Sequence, residues 1–146
     1  MAGFQFRMAG FLGIKEKIEE QKKLEYGKAL KKLDDERNLL NLLNDKKNNV
    51  IYSMRESINL GIHTFELKRY NDYIDYIKRR IVEQEDAVDK AKEFAETKRV
   101  ELVEAVKERK MLEVIKENDR IEYNKEQLLK EQKIVDEIVS YQYNNA

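Results

Sequence analysis

The chain has 146 residues, of which 40% are charged, with five glycines and no proline, tryptophan or cysteine. A typical chain of this length carries roughly seven prolines and ten glycines, so long helices are expected, while the 41% hydrophobic content excludes a disordered chain. The charges of the 29 basic and 29 acidic side chains cancel, which excludes a strong electrostatic field that would attract nucleic acid or anionic lipid. The lack of cysteine excludes disulfides and thiolate zinc sites.

The start of the chain, residues 1–14, is mostly apolar. It is shorter than the roughly 20 apolar residues of a membrane span and lacks the long apolar block of a signal peptide. We therefore expect a cytoplasmic protein without direct membrane insertion.

An apolar seam with alternating steps of four and three residues predicts a first helix over about residues 4–60, because this spacing is the heptad pattern of a coiled coil. The seam consists of Tyr26, Leu30, Leu33, Arg37, Leu40, Asn44, Lys47, Ile51, Met54, Ile58 and Gly61.

A second seam predicts a second helix over about residues 65–140. It consists of Leu67, Tyr70, Ile74, Ile77, Ile81, Gln84, Val88, Ala91, Ala95, Lys98, Leu102, Ala105, Arg109 and Leu112. It is displaced by one residue from the continuation of the first seam, so one unbroken helix cannot turn both seams towards the same partner. Residues 61–64 predict the turn between the helices, because Gly61 can end a helix in the left-handed conformation and Thr64 can cap the next one.

These elements predict an all-α protein, a single coiled-coil domain over residues 1–146 in which two long helices form an antiparallel hairpin. Placing Asn44 opposite Gln84 brings two polar seam residues together. In this register the numbers of any two residues that face each other across the hairpin add to 128. A buried amide in a seam commonly fixes the register of a coiled coil.

Catalytic motifs are missing from the sequence. It has no phosphate-binding or dinucleotide-binding glycine motif and no cysteine beside the single histidine, His63. We expect a non-enzymatic protein without cofactor or metal, and we interpret His63 as a polar turn residue. Basic pairs such as Lys31 and Lys32 alternate with acids and indicate solvated faces or interhelical ion pairs.

Apolar residues also flank the seams in the middle of the predicted hairpin. Leu39, Leu43 and Val50 each precede a seam residue, and Tyr73 and Tyr76 lie beside the second seam. Such residues either broaden the seam or form a docking surface, because the flanks of a two-helix structure stay partly exposed.

The end of the second helix carries six aliphatic residues that the predicted register leaves without a partner. They are Leu128, Leu129, Ile134, Val135, Ile138 and Val139. Such a tail frays, self-associates or inserts into another protein, and we favour insertion.

Three groups of residues resemble the flagellar export protein FliJ family. They are Phe4-x-Phe6-Arg7 with Phe11-Leu12, then Glu108-Arg109-Lys110 with Leu112, and finally Glu131-Gln132-Lys133 with Asp136-Glu137. The resemblance covers nearly the whole chain and includes the Gly61-Ile62 turn and the seam residues Tyr70, Ile74 and Ile81.

This resemblance implies a non-enzymatic stalk of the type III protein export apparatus of the bacterial flagellum, similar to the stalk of rotary ATP synthases. The implied location is the cytoplasm, peripherally at the flagellar base on the inner membrane. The implied partners are a hexameric export ATPase, whose assembly and activity the stalk promotes, the membrane export gate and export chaperones. The alternatives are a homodimeric coiled-coil scaffold and a general secretion chaperone.

The resemblance also implies two sets of binding residues. The ATPase-binding residues would be Phe6, Arg7, Leu12, Glu131, Gln132, Lys133, Asp136 and Glu137. The gate-binding residues would be Leu39, Leu43, Val50, Tyr73 and Ile77. No residue is assigned to the chaperones.

Overall fold

Two long helices make up the computed structural model, which describes residues 3–145. Helix α1 spans Ala9–Leu60 and helix α2 spans Thr64–Asn144, and no strand occurs in the described part of the chain. The helices pack against each other as an antiparallel hairpin. The predicted fold class is therefore confirmed.

The turn between the helices occupies the predicted place. Gly61 has a φ angle of 88°, a left-handed conformation that glycine adopts at little cost. Its N–H donates to the carbonyl oxygen of Ile58 over 3.2 Å, and the N–H of Leu67 donates to the carbonyl oxygen of His63 over 3.1 Å. Thr64 is the first residue of α2, so the non-helical connection is one residue shorter than predicted.

The start of α1 differs from the prediction. The helix begins at Ala9, five residues after the predicted start at residue 4, because residues 7 and 8 form a turn. The N–H of Ala9 donates to the carbonyl oxygen of Phe6 over 3.1 Å, and Phe6 is buried with Leu12 and Leu112. The apolar residues before Ala9 therefore cap an apolar cluster rather than extend the helix. At the other end, α2 continues past the predicted end near residue 140 to Asn144.

The seam of α2 is as predicted. Each of its positions from Leu67 to Leu112 is buried or half-buried. This agreement follows from the residues themselves, since most of the seam consists of aliphatic side chains that alternate at three and four residues along one helix face.

The seam of α1 is correct at alternate positions; of the others, Leu30, Arg37 and Ile58 are exposed, whereas Asn44 and Ile51 are half-buried. Leu33, Leu40 and Met54 lie in the interface as predicted, but Leu30 is exposed and Ala29 is buried in its place. The intervening positions of the observed seam are Ala29, Glu36, Leu43, Val50 and Ser57. Each lies one residue before the predicted position.

The register of the hairpin shifts with this seam. Matching the buried positions of the two helices gives pairs whose numbers add to 124, as for Ala29 with Ala95, Leu33 with Ala91 and Leu43 with Ile81, which lie in common apolar clusters. The predicted sum of 128 would bring the exposed residues Leu30 and Arg37 into the seam, although the ion pair of Glu19 with Arg109 does have this sum. Alanine on both helices forms one layer, and small side chains there allow the two backbones to lie close together.

The amide of Gln84 also has a different partner from the one predicted. Its Nε2 donates to the carbonyl oxygen of Glu36 over 2.9 Å and to the carboxylate Oε2 of the same residue. Asn44 is half-buried, and the predicted pairing of Asn44 with Gln84 is wrong. The buried amide is nonetheless satisfied, as a polar group in a seam must be.

The chain divides into two compact units, Lys22–Leu102 and Met1–Gln21 with Val103–Ala146. The first unit contains two apolar clusters, one around Ile77 and one around Ala95. The second contains the cluster of Phe6, Leu12 and Leu112, with Phe4 packed against it.

Candidate functional site

The end of α2 is a helical tail, which we define as residues 113–145. Within it Tyr123 and Gln127 are half-buried and every other residue is exposed. The six aliphatic residues named above are between 52% and 66% exposed. The prediction that they have no partner within the chain is confirmed for the described residues.

The six aliphatic residues stay exposed because the sequence pattern of α2 changes after Leu112. The next seven positions in the phase of the α2 seam are Lys116, Asp119, Tyr123, Glu126, Lys130, Lys133 and Glu137. Six of them are charged, so the face that would continue the packing against α1 is polar. The aliphatic residues lie on other faces of the helix and stay in solvent.

The predicted ATPase-binding residues fall into two groups. Phe6 and Leu12 are buried in the cluster with Leu112, so their side chains support the fold and present little surface to a partner. Arg7 is exposed. The remaining predicted residues are all exposed on the tail: Glu131, Gln132, Lys133, Asp136 and Glu137.

The N-terminal segment reaches the base of the tail without reaching this second group. The rings of Phe4 and Tyr123 lie 5.6 Å apart, centroid to centroid. Glu131 follows Tyr123 by eight residues, about 12 Å along a helix. The structure therefore joins Phe4 to Tyr123 of the tail, whereas Glu131 and the described residues beyond it are exposed.

The predicted gate-binding residues are also divided. Leu43 and Ile77 belong to the core, where Ile77 is 2% and Leu43 is 8% exposed. Val50 is partly buried against the same cluster, whereas Leu39 and Tyr73 are exposed. The interpretation of Leu43 as a flanking residue was wrong because the α1 seam lies one residue earlier than predicted.

A groove runs between α1 and α2 in the unit Lys22–Leu102. It has a volume of about 930 Å³ and is lined by Asn49, Val50, Ser53, Glu66, Arg69, Tyr70, Asp72, Tyr73 and Tyr76. Two of the predicted gate-binding residues therefore lie in it. Sequence reasoning missed the contributions of Arg69 and Tyr70, because the groove depends on which flank of the seam each side chain occupies.

Aromatic side chains give the groove its chemistry. The rings of Tyr73 and Tyr76 lie 6.3 Å apart with an interplanar angle of 28°. The guanidinium of Arg80 donates to the Tyr76 hydroxyl over 3.2 Å, and the hydroxyls of Tyr70 and Ser57 lie 3.3 Å apart. The groove thus presents flat apolar rings with polar edges, a composition that is common in protein interfaces.

Ion pairs join the two helices at or beside seam positions in both units. In the unit that contains the tail, Lys15 donates to Glu108 over 2.8 Å. Arg109 pairs with Glu19 on α1 and, over 2.8 Å, with Glu113 on its own helix. The hydrogen bond to Glu19, followed by the one to Glu113, raises the pKa of Arg109.

The unit Lys22–Leu102 contains a four-residue network of the same kind. Lys22 donates to Glu101 and to Glu25, each over 3.3 Å, and Lys98 lies 3.5 Å from Glu25. The hydrogen bond from Lys22 lowers the pKa of Glu101, and that from Lys98 adds to it. The pKa of Glu25 is lowered chiefly by Lys22. These contacts satisfy charged groups beside the seam between the two helices.

No cluster of histidine and carboxylate side chains that could hold a metal ion occurs within residues 3–145. Neither of the two helices, in the range that the structure describes, has a stretch long and apolar enough to cross a membrane.

Comparison with known proteins gives two matches. The family model of the flagellar FliJ protein matches residues 4–146. Among solved structures, the chain is similar to a YscO homolog, CT670, from Chlamydia trachomatis, with a TM-score of 0.60 and 22% sequence identity over 97% of this chain and 96% of that chain. At this identity the likeness supports the helical hairpin alone. No curated protein sequence matches the chain.

Proposed function

The chain belongs to the flagellar FliJ protein family, and from this premise we propose that it is a non-enzymatic stalk of the flagellar type III export apparatus. In this role it promotes assembly and activity of the hexameric export ATPase and links the ATPase to the membrane export gate. The proposed location is the cytoplasm, at the flagellar base.

The single observation that carries this proposal is the exposed tail of α2. α2 has 81 residues and α1 has 52, so the second helix is 29 residues longer and its end carries exposed aliphatic side chains. Such surface in water favours association with a partner. A ring of subunits encloses a helix from all sides, and so it can cover the aliphatic and charged faces of the tail at the same time.

Multivalent contact explains how a stalk promotes assembly. Each ATPase subunit would contact the tail weakly, but a tail already bound to one subunit holds the next subunits at a high effective concentration. Within this proposal Glu131, Lys133 and Glu137 supply polar contacts to the ring. Phe6 and Leu12 act indirectly, because they hold the base of the tail in place through Leu112.

The groove in the unit Lys22–Leu102 is the proposed gate-binding surface. Its exposed part contains Tyr73 and Tyr76, with Val50 at its floor, and Leu39 is exposed on the same helix as Val50. Leu43 and Ile77 support this surface from the core and are not proposed to contact the gate.

A truncation tests ATPase coupling. A chain that ends at Lys125 loses all six exposed aliphatic residues but keeps every cluster of the hairpin, so it should fold and fail to stimulate the export ATPase. The measurements are the rate of ATP hydrolysis and the fraction of hexamer in sedimentation velocity, with circular dichroism to confirm folding. The control is Tyr52→Ala, which removes a side chain that is exposed on α1 and bonded to Glu56. If the truncated chain stimulates the ATPase as well as the full chain, the tail does not couple to it.

A matched pair of tyrosine variants tests gate binding. Tyr73→Ala removes a ring from the groove, and Tyr52→Ala removes a ring that is outside it. Tyr73→Ala should weaken binding to the cytoplasmic part of the export gate, whereas Tyr52→Ala should leave it unchanged. An equal effect of both variants would contradict the assignment of the groove.

The seam contacts weigh against the homodimeric scaffold. A scaffold would dimerise through the seam from Tyr26 to Leu112, but in this structure that seam is buried within one chain. A general secretion chaperone would bind export substrates in the absence of the ATPase, and the same purified chain can be assayed for that.

A further inference from the structure

The outer face of α2 carries a second heptad seam, which we call the outer seam. Its positions alternate at three and four residues: Met111, Val114, Asn118, Ile121, Lys125, Leu128, Gln132, Val135 and Val139. Six of the nine are apolar, and all nine are exposed. No segment among the described residues covers this seam.

The outer seam faces away from α1. Leu112 is buried against α1, whereas Met111 and Val114, one residue before it and two after it, are 65% and 59% exposed. Helical geometry turns about 100° for each residue, so the two seams lie on different sides of α2. The outer seam therefore begins beside the last layer of the hairpin and continues along the tail.

The spacing of the outer seam suits a helix as its occupant. Apolar residues recur at seven-residue intervals at Val114, Ile121, Leu128 and Val135, the pattern that packs against one further helix as knobs into holes. The polar residues Asn118, Lys125 and Gln132 alternate with them. Polar seam residues lower the stability of a coiled coil and restrict its choice of partner.

Half of the positions that flank the outer seam between residues 115 and 138 are acidic. Between residues 115 and 138 these positions are Ile115, Glu117, Glu122, Asn124, Leu129, Glu131, Asp136 and Ile138. Four carry negative charge and none carries positive charge. Glu117 already pairs with Arg120 over 2.7 Å, while the other three acids have no ion pair among the described contacts. The whole tail has eight acidic and five basic residues, a net charge of −3.

This charge pattern argues against a second copy of the chain as the occupant. In a parallel pair of tails, Glu117 would face Glu122 and Glu131 would face Asp136, and such like-charge pairs are destabilising. In an antiparallel pair the acids would lie opposite apolar or amide side chains and gain no counterion. A partner with lysine or arginine at its own flanking positions satisfies both the aliphatic and the acidic residues.

We propose that the outer seam is the docking site for one amphipathic helix of another protein, with basic residues flanking its apolar stripe. The inference rests on the proposed function in taking the tail as the partner-facing end. It adds the chemistry of the contact: a single helix laid along Met111 to Val139, held by aliphatic packing and oriented by Glu122, Glu131 and Asp136.

A pair of designed peptides tests this proposal with the full-length chain. Both are four heptads long with leucine in the seam, and they differ in carrying lysine or glutamate at the flanking positions. Fluorescence anisotropy should show the lysine peptide binding at least about tenfold more tightly. The charge reversal Glu131→Lys with Asp136→Lys should reverse the preference. Equal binding of the two peptides would overturn the proposal.

Two neighbouring variants test the face of the helix. Val135→Asn lies in the outer seam and Ile134→Asn on another face, and both native side chains are 56% exposed. Val135→Asn should weaken the binding of the lysine peptide by about tenfold, whereas Ile134→Asn should leave its affinity unchanged. Equal losses of peptide binding in the two variants would overturn the proposal. Sedimentation that shows the chain associating with itself, with the association abolished by Val135→Asn, would also overturn it.

ATPase stimulation by the same proteins separates this proposal from the proposed function. If the lysine peptide does not bind while truncation after Lys125 still abolishes stimulation, the helix-docking proposal fails and the stalk function stands. If the peptide binds the outer seam but the truncated chain stimulates normally, the stalk assignment fails and the outer seam remains a helix-docking surface.

Discussion

Replacing Leu43 with alanine separates the fold of the hairpin from its proposed gate-binding surface. Leu43 is 8% exposed and packs with Ile77 and Ile81, whereas Leu39 is 38% exposed. Leu→Ala removes about three carbons, each worth about 0.8 kcal/mol when buried. With the cavity that remains, Leu43→Ala should cost about 2–5 kcal/mol of unfolding free energy, and Leu39→Ala only about 0.5–1.5 kcal/mol.

Thermal melts by circular dichroism measure this difference. At about 2–4 °C for each kcal/mol, Leu43→Ala should lower the midpoint by about 4–20 °C and Leu39→Ala by about 1–6 °C. Well below both midpoints, Leu43→Ala should still bind the export gate, because its side chain does not reach the surface, whereas Leu39→Ala should bind more weakly. An unchanged midpoint for Leu43→Ala together with lost gate binding would refute the observed register and return Leu43 to the surface.

Three further predictions concern the turn, the register and pH. Gly61→Ala should lower the unfolding free energy by about 1–2 kcal/mol in a denaturant titration. The added Cβ would meet no neighbour within 4 Å, so the loss comes from the φ of 88°, which is unfavourable for alanine. No loss would mean that the turn relaxes to another conformation. Cysteines at positions 29 and 95 should cross-link more efficiently than a pair whose numbers add to 128, and the reverse order would reject the observed register. The folded-state pKa values of Glu25 and Glu101 lie below the ordinary value of 4.5. Their contribution to stability is therefore present above pH 4.5 and is lost as the pH falls through the folded-state values. The melting midpoint should decrease from about pH 5 to about pH 3, and a midpoint that rises would contradict the network.

The fold could be predicted from the sequence because its two main determinants are local. Gly61 marks the turn, and the one-residue offset between the seams requires one. The seam of α2 could be assigned residue by residue because its aliphatic side chains fit a single helical phase. The single-domain organisation stays a prediction, and a single cooperative melting transition of the hairpin would support it.

The phase of α1 could not be settled from periodicity, because neighbouring apolar residues fit two phases equally well. Ala29 and Leu30, or Val50 and Ile51, satisfy alternating steps of three and four whichever member is chosen. The choice depends on the facing helix, where Ala95 leaves room for Ala29 and closer approach of the backbones. A sequence pattern on one helix does not contain that information.

The candidate sites were likewise predictable from the sequence in part. That the end of α2 lacks a partner follows from the lengths of the two helices and was predictable. The burial of Phe6 and Leu12 was not, because residues 4–8 have an apolar spacing that also fits a helix. Their position depends on a turn held by the carbonyl of Phe6 and by packing on Leu112.

The packing of the N-terminal segment against α2 has a mechanical consequence. A pull or twist applied to the tail would reach residues 112–123 of α2 first, where Phe4 lies against Tyr123 and Phe6 against Leu112. Part of the load would pass through these aromatic contacts into the start of α1, so both helices share it instead of one. An anchorage of this kind resists sliding of one helix along the other, because movement by one turn would pull two aromatic side chains out of their packing.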